Sequence, residues 1–280
     1  MYLGITNRLW LVPEAEASAL GGLLRRAANA DEKSQAPAEA YLGGGRTIPQ
    51  GGVGIISLHG YMALQTSWWS VGTRDVMAEI RRYVDGGVRA LVFDVDSPGG
   101  MVVGTKELAN TIRSLEIPTC AAVGSQCASA AYWVAAACDE IVALSSSYVG
   151  SVGAYAVHYD YSGLLTEAGV VATVIEAGEG KTEGSNLKPL SEEARSHVQR
   201  QINSVYASFV SSVSKDRNVS KDEIVSGWGA RTYLAEEAVK MSMIDRVATL
   251  DDVVAKFSSA RRRMASRQRA MARARAGGVG

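Results

Sequence analysis

No stretch of this 280-residue sequence holds the roughly 18 uninterrupted apolar residues that a membrane-spanning helix needs, and its first residues lack a basic stretch followed by a continuous apolar one. The expectation is a soluble, unsecreted, cytoplasmic chain with no membrane contact. Cysteine is scarce. Cys120, Cys127 and Cys138, an odd number in apolar surroundings, imply no disulfide framework and read as reduced thiols packed as small hydrophobes. They form no CxxC pair, and the three histidines, His59, His158 and His197, are scattered, so no metal site is expected. Neither a GxGxxG loop nor a Walker loop is present, so no nucleotide cofactor is expected either.

Net charge is also lacking: 29 basic residues balance 29 acidic ones. The balance is uneven along the chain, because seven arginines (Arg261, Arg262, Arg263, Arg267, Arg269, Arg273, Arg275) fall in the last twenty positions with no acid among them. Without those seven the body carries a net charge near −7. Such a body does not offer a general nucleic-acid-binding surface, and only the tail could touch nucleic acid, an acidic partner or an anionic membrane.

What is present is a chain of 47% hydrophobic residues, long enough for one large α/β domain. Residues 1–52 are rich in Ala and Gly and end in the breaker runs Gly43-Gly44-Gly45 and Pro49-Gln50-Gly51-Gly52, which reads as an arm or pro-segment with a linker. From Val53 to residue 257, short apolar runs alternate with amphipathic stretches. Strands are expected at 53–58, 90–95, 119–124, 141–144, 152–157 and 170–175, with one more near 243–247. Helices are expected at 71–85, 101–115, 129–137 and 191–213, the last capped by Ser191 with Glu192 and Glu193 in its first turn. Repeated βαβ units of this kind specify a parallel sheet covered by helices. Residues 258–280 are expected to be a basic, flexible tail.

Four motifs bear on chemistry. Asp96-Ser97-Pro98-Gly99-Gly100 follows a buried strand, and its glycines can turn free amides toward an anion or simply end the strand. In Gly124-Ser125-Gln126-Cys127-Ala128-Ser129-Ala130-Ala131-Tyr132, Ser129 sits where a strand meets a helix of small residues, as a nucleophile or as an N-cap. Gly150-Ser151-Val152-Gly153 opens a strand with a hydroxyl-bearing turn. Lys181, in the loop Gly178-Glu179-Gly180-Lys181-Thr182-Glu183-Gly184, is either delivered inward by its flanking glycines or solvated.

Together these segments resemble the signal peptide peptidase A family, in particular the phage-capsid branch of lambda-like head-maturation proteases. The resemblance runs over about 53–250 and is carried by DSPGGMVVG (96–104), CASAAYWVAAACDEIVA (127–143), GSVGAY (150–155), GKTEG (180–184) and ARTYLAEEAVKMSMIDRV (230–247). It implies a crotonase/Clp-like fold and a serine endopeptidase without cofactor. Ser129 would be the nucleophile, Lys181 the general base fifty-two residues on, and Ser151 the group that orients the amine. Gly100 and Ala130 would supply the oxyanion-hole amides, alanine standing where the family often has glycine. A lysine base must be neutral, which burial has to bring about. Clp-type peptidases of the same fold use histidine instead, which leaves His158, twenty-nine residues after Ser129, as the competing base.

The resemblance further implies peptide substrates lying extended against Gly99, Gly150, Val152 and Gly153, and a homo-oligomeric ring joined through 191–257. The branch implies scaffold and capsid proteins as substrates inside a procapsid, with the basic tail docking to scaffold or nucleic acid. A cytoplasmic bacterial protease that degrades peptides is the alternative. Trp68-Trp69 cannot both face one core, so one of them should line a groove or a subunit contact.

Overall fold

The computed structural model describes residues 10–11 and 52–259. Most of the arm and almost all of the basic tail therefore lie outside the described residues.

Strands β2 (Val53–His59), β5 (Ala90–Ser97), β7 (Thr119–Ala128) and β8 (Glu140–Ala143) pair in parallel, and β11 (Arg246–Val247) adds to β8 in the same direction. Strand β7 divides its partners: residues 120–123 pair with β8, whereas 126–128 pair with β9 (Tyr148–Gly150). β9 carries the antiparallel edge strand β10 (Thr232–Leu234). A second, four-stranded sheet has the order β1 (Trp10–Leu11), β6 (Gly100–Met101), β3 (Tyr61–Ala63), β4 (Ser70–Gly72).

Side chains alternate across the main sheet, and the two faces are covered unequally. Ile56, Leu58, Leu91, Phe93, Val95, Ala121, Val123, Ile141 and Ala143 point into the larger core. That core is closed by α1 (Thr73–Asp85), α2 (Thr105–Arg113), α3 (Ala130–Ala136) and the C-terminal half of α5 (Glu192–Arg217), while the short α4 (Ser162–Glu167) buries none of its residues. α1 buries Thr73, Val76, Ile80 and Tyr83, the stripe that a 3.6-residue period produces. α3 buries all seven of its residues, which four alanines make sterically feasible. On the opposite face, Val92, Cys120, Ala122 and Val142 meet Val253 from a helix over 250–259.

Polar ties fix the late elements to this frame. Arg113 grips Asp216 with two donors, joining α2 to α5, and its Nε lies 2.6 Å from Asp216 Oδ1. Arg217 pairs with Asp245 at 2.9 Å, and Glu140 accepts from both Arg246 and Lys256. Cys120, Cys127 and Cys138 are all free and buried. Burial pushes the Cys120 thiol up to about 12 and raises Cys127 and Cys138 as well, so all three stay protonated and unreactive.

Two expected strands do not form. Residues 152–157 contain a single bridge residue, and 170–175 are irregular and exposed. Both runs have β-type sequences, but a strand exists only where a neighbouring backbone supplies its hydrogen bonds, and none of the described strands runs beside them. β7 exceeds its expected length for the converse reason, since β9 is there to pair with residues 126–128.

At the C-terminal end of the sheet, His59 Nε2 lies 3.0 Å from Asp94 Oδ2. The hydrogen bond to Asp94 raises the His59 pKa above its ordinary 6.5, burial opposes the rise, and the Asp94 and Asp96 charges assist it. A raised folded-state pKa adds stability that is complete below the unfolded value and is lost as pH climbs through the folded value. The histidine is about half exposed, so the pair contributes on the order of a few tenths of a kcal/mol. The expected result is a urea-midpoint gap between wild type and His59→Gln that is widest near about pH 5.5 and shrinks steadily toward about pH 8.5. A gap independent of pH would dismiss the ion pair as its origin.

Candidate active site

Ser129 occupies the junction of β7 and α3. Its backbone has φ 55° and ψ −118°, an uncommon conformation for a residue with a Cβ, and the side chain is almost wholly enclosed. Neighbouring backbone holds it there: its N–H donates to Gly150 C=O at 2.8 Å, and its C=O accepts from Trp133 N–H at 3.0 Å. Trp133 is itself fixed by parallel stacking on Phe209, with ring centroids 4.5 Å apart. The strain at Ser129 is thus sustained by the sheet on one side and by an aromatic stack on the other.

Ser151 stands next to Ser129 through this pairing. Ala128 is opposite Gly150, and Ser151 adopts φ 55° while its N–H donates to Arg231 C=O at 2.7 Å. Gly150 has φ 124°, and a Cβ placed there would come within 2.5 Å of Arg231 O, so glycine is required. Val152 is fully buried and Gly153 half-buried.

Gly99 and Gly100 form the third part. Gly99 has φ 100°, its N–H donates to Ser97 Oγ at 3.1 Å, and its C=O accepts from Met62 N–H at 2.8 Å. The described residues contain no cis peptide bond, so the Gly100 N–H points opposite to the Gly99 C=O, away from β3 and toward the edge occupied by β1. A Cβ on Gly100 would lie 2.0 Å from Met62 O. α3 packs against β6, which brings this edge close to the helix that begins after Ser129. Ala130, the first residue of α3, has no preceding turn to take its N–H.

Lys181 is placed differently. It is exposed, its N–H closes a turn to Gly178 C=O, and no hydrogen bond joins its amine to Ser129 among the described residues. It borders a cavity of about 490 Å³ shared with His158, Glu183 and His197. His158 Nε2 lies 3.1 Å from the Ser185 carbonyl, which only a protonated nitrogen can satisfy. The structure thus brings Ser129, Ser151, Ala130 and the Gly99-Gly100 turn together, and leaves Lys181 and His158 on a separate surface.

Sequence reasoning overlooked Ser97. Fully buried, it fixes the Gly99 turn and lies opposite Cys127 in the sheet register. The signal was available, since a serine two residues before a glycine favours this hydroxyl-to-amide bond. Of the two tryptophans, Trp69 packs on Tyr61 with ring centroids 5.1 Å apart, while Trp68 stays exposed.

Known proteins share much of this sequence. A Methanocaldococcus jannaschii protein named as a putative protease, MJ0651, is 34% identical over 175 residues, 62% of this chain and 56% of its own length. Capsid assembly protease C of Escherichia phage lambda is 25% identical over 257 residues, 90% of this chain and 58% of its own. The chain thus spans little more than half the length of either relative. Among solved structures, a ClpP1 mutant from Listeria monocytogenes superposes with a TM-score of 0.48 at 12% identity, covering 71% of this chain and 94% of that one. The Peptidase family S49 model matches residues 111–263, more than half the chain and inclusive of Ser129, Ser151 and Lys181, and the chain belongs to peptidase family S49.

Proposed function

We propose that the chain is a serine endopeptidase in which Ser129 attacks and Lys181 is the base. The observation that carries this reading is the strained, enclosed Ser129 at a strand–helix junction, beside two backbone amides that neither the main sheet nor α3 consumes. The Ser129 hydroxyl adds to the scissile carbonyl carbon while neutral Lys181 Nζ takes the hydroxyl proton. The resulting oxyanion accepts from Gly100 N–H and Ala130 N–H. Collapse breaks the C–N bond, and the leaving amine takes the proton from the Lys181 ammonium. Water, giving a proton to Lys181, then hydrolyses the acyl-enzyme and restores Ser129. Ser151 orients the amine.

A base lysine has to be desolvated, and in the single chain Lys181 is exposed. The same segment exposes Tyr159, Leu164, Val171 and Ile175, the last two almost completely. A patch of that kind is a subunit contact, and we assign it to a second copy of the chain, whose packing would both cover Lys181 and supply strand partners for 152–157 and 170–175. The lambda relative aligns over nearly the whole chain, which favours capsid assembly proteins as substrates over general peptide degradation. No described helix is long and apolar enough to cross a membrane.

Digestion of casein by the purified protein beside Ser129→Ala, with mass spectrometry of the products, tests the reaction. Gly100→Ala probes the oxyanion site independently. Its Cβ must displace the Met62 backbone, and the amide it carries moves with it, so kcat is expected to fall about 10²- to 10³-fold with little change in KM. Unchanged kcat would remove Gly100 from the oxyanion hole.

A further inference from the structure

Strand β1 lies on the edge of β6 that a substrate needs. Leu11 is opposite Gly100 and Trp10 opposite Met101, in antiparallel register. Because Met62 takes up the Gly99 carbonyl, Gly100 N–H projects from the other edge, the one facing Leu11. In an antiparallel ladder, the residue whose groups point across the strand gap exchanges both its N–H and its C=O with its partner. Leu11 C=O is therefore directed at the amide assigned above to the oxyanion. Beside this edge Tyr61 and Met101 form a small buried cluster with Trp69 and Tyr155 packed against it.

We infer that the chain's own segment around Trp10–Leu11 occupies the substrate edge of β6 as an intramolecular competitor. The inference rests on the proposed protease reading for its consequence, and on the β1–β6 register for its geometry. A segment of the same chain competes intramolecularly, at an effective concentration that does not depend on the protein concentration, so a peptide supplied from solution has to overcome it. A substrate strand must displace β1 to reach Gly100 N–H.

The test uses the full chain with Ser129→Ala, so that nothing is cut, and compares it with the same chain carrying Leu11→Pro. Proline deletes the Leu11 N–H that bonds across to Gly100, while Gly100 and the surrounding site keep their sequence. The probe is a labelled synthetic peptide of residues 6–16, followed by fluorescence anisotropy. Amide exchange over residues 99–102 is measured in parallel by mass spectrometry. Leu11→Pro is expected to tighten peptide binding at least tenfold and to speed exchange at Gly100 by a similar factor, while Met101, whose N–H faces β3, stays protected. Unchanged peptide affinity, or unchanged exchange, overturns the inference. Casein cleavage that is identical in wild type and Ser129→Ala would sink the protease reading instead, while the binding and exchange results would still judge the strap.

Discussion

Ser129→Ala is expected to lower peptide-bond cleavage at least about 10⁴-fold with KM nearly unchanged, because it deletes the attacking atom and leaves the peptide-binding edge intact. Lys181→Ala should cost about as much, since nucleophile and base act as one unit and their losses do not add. His158→Ala should retain near-normal activity, because His158 Nε2 is committed to the Ser185 carbonyl. Casein digestion under initial-rate conditions, with intact-mass analysis of the chain's own ends, reads all three variants. Loss in Ser129→Ala and His158→Ala with Lys181→Ala active would transfer the base to histidine. Wild-type cutting by Ser129→Ala would end the mechanism. The melting temperatures of the three variants should stay close to wild type, since Gly150 C=O and Trp133 N–H continue to hold the β7–α3 junction through backbone bonds and Lys181 is exposed.

Trp133→Ala is expected to destabilise the fold by about 3–5 kcal/mol, read as a lower urea midpoint with an unchanged m-value. Trp133 is among the largest fully buried side chains and lies flat on Phe209. Alanine would leave a large void between α3 and α5, which seven buried residues on α3 and the Arg113–Asp216 tie keep from collapsing. Trp133→Phe should cost far less. It keeps the stack on Phe209, and the indole N–H it deletes has no hydrogen-bond partner among the described residues, so no bond is lost. Equal losses for the two variants would show that stacking is not what Trp133 contributes. Because Ser129 rests on this same stack, Trp133→Ala should also lower kcat below the melting point, whereas Trp133→Phe should not.

The parallel sheet and its helices were legible in the chain because each rests on a local pattern. Residues 53–58, 90–95 and 119–124 are largely apolar runs that fall within β2, β5 and β7, and the stripe Val76, Ile80, Tyr83 repeats at helical spacing. Ser191 was recognisable as a cap, and its Oγ accepts from Ala194 N–H at 3.1 Å. Ser129, Ser151, Gly100 and Ala130, the residues proposed for the site, were picked out by the family resemblance, and each sits at a break between elements. Their assembly was not legible, because it depends on β7 pairing with β8 through one half and with β9 through the other.

Residues 152–157 and 170–175 mark the boundary. Their β-branched and apolar sequences state a preference for extended chain, yet a strand is a relation between two backbones, and no neighbouring sequence announces whether the second is present. Lys181 poses the same problem, since nothing in GKTEG determines what covers it. By itself, then, the sequence determined the central strands of the main sheet, the helices that cover it and where the chain breaks, because period, propensity and glycine stereochemistry act over a few residues. Only the tertiary structure decided the φ of Ser129, the direction of the Gly100 N–H, the burial of Ser97 and the placing of Leu11 against Gly100. Each of those is set by hydrogen bonds and contacts between residues far apart along the chain.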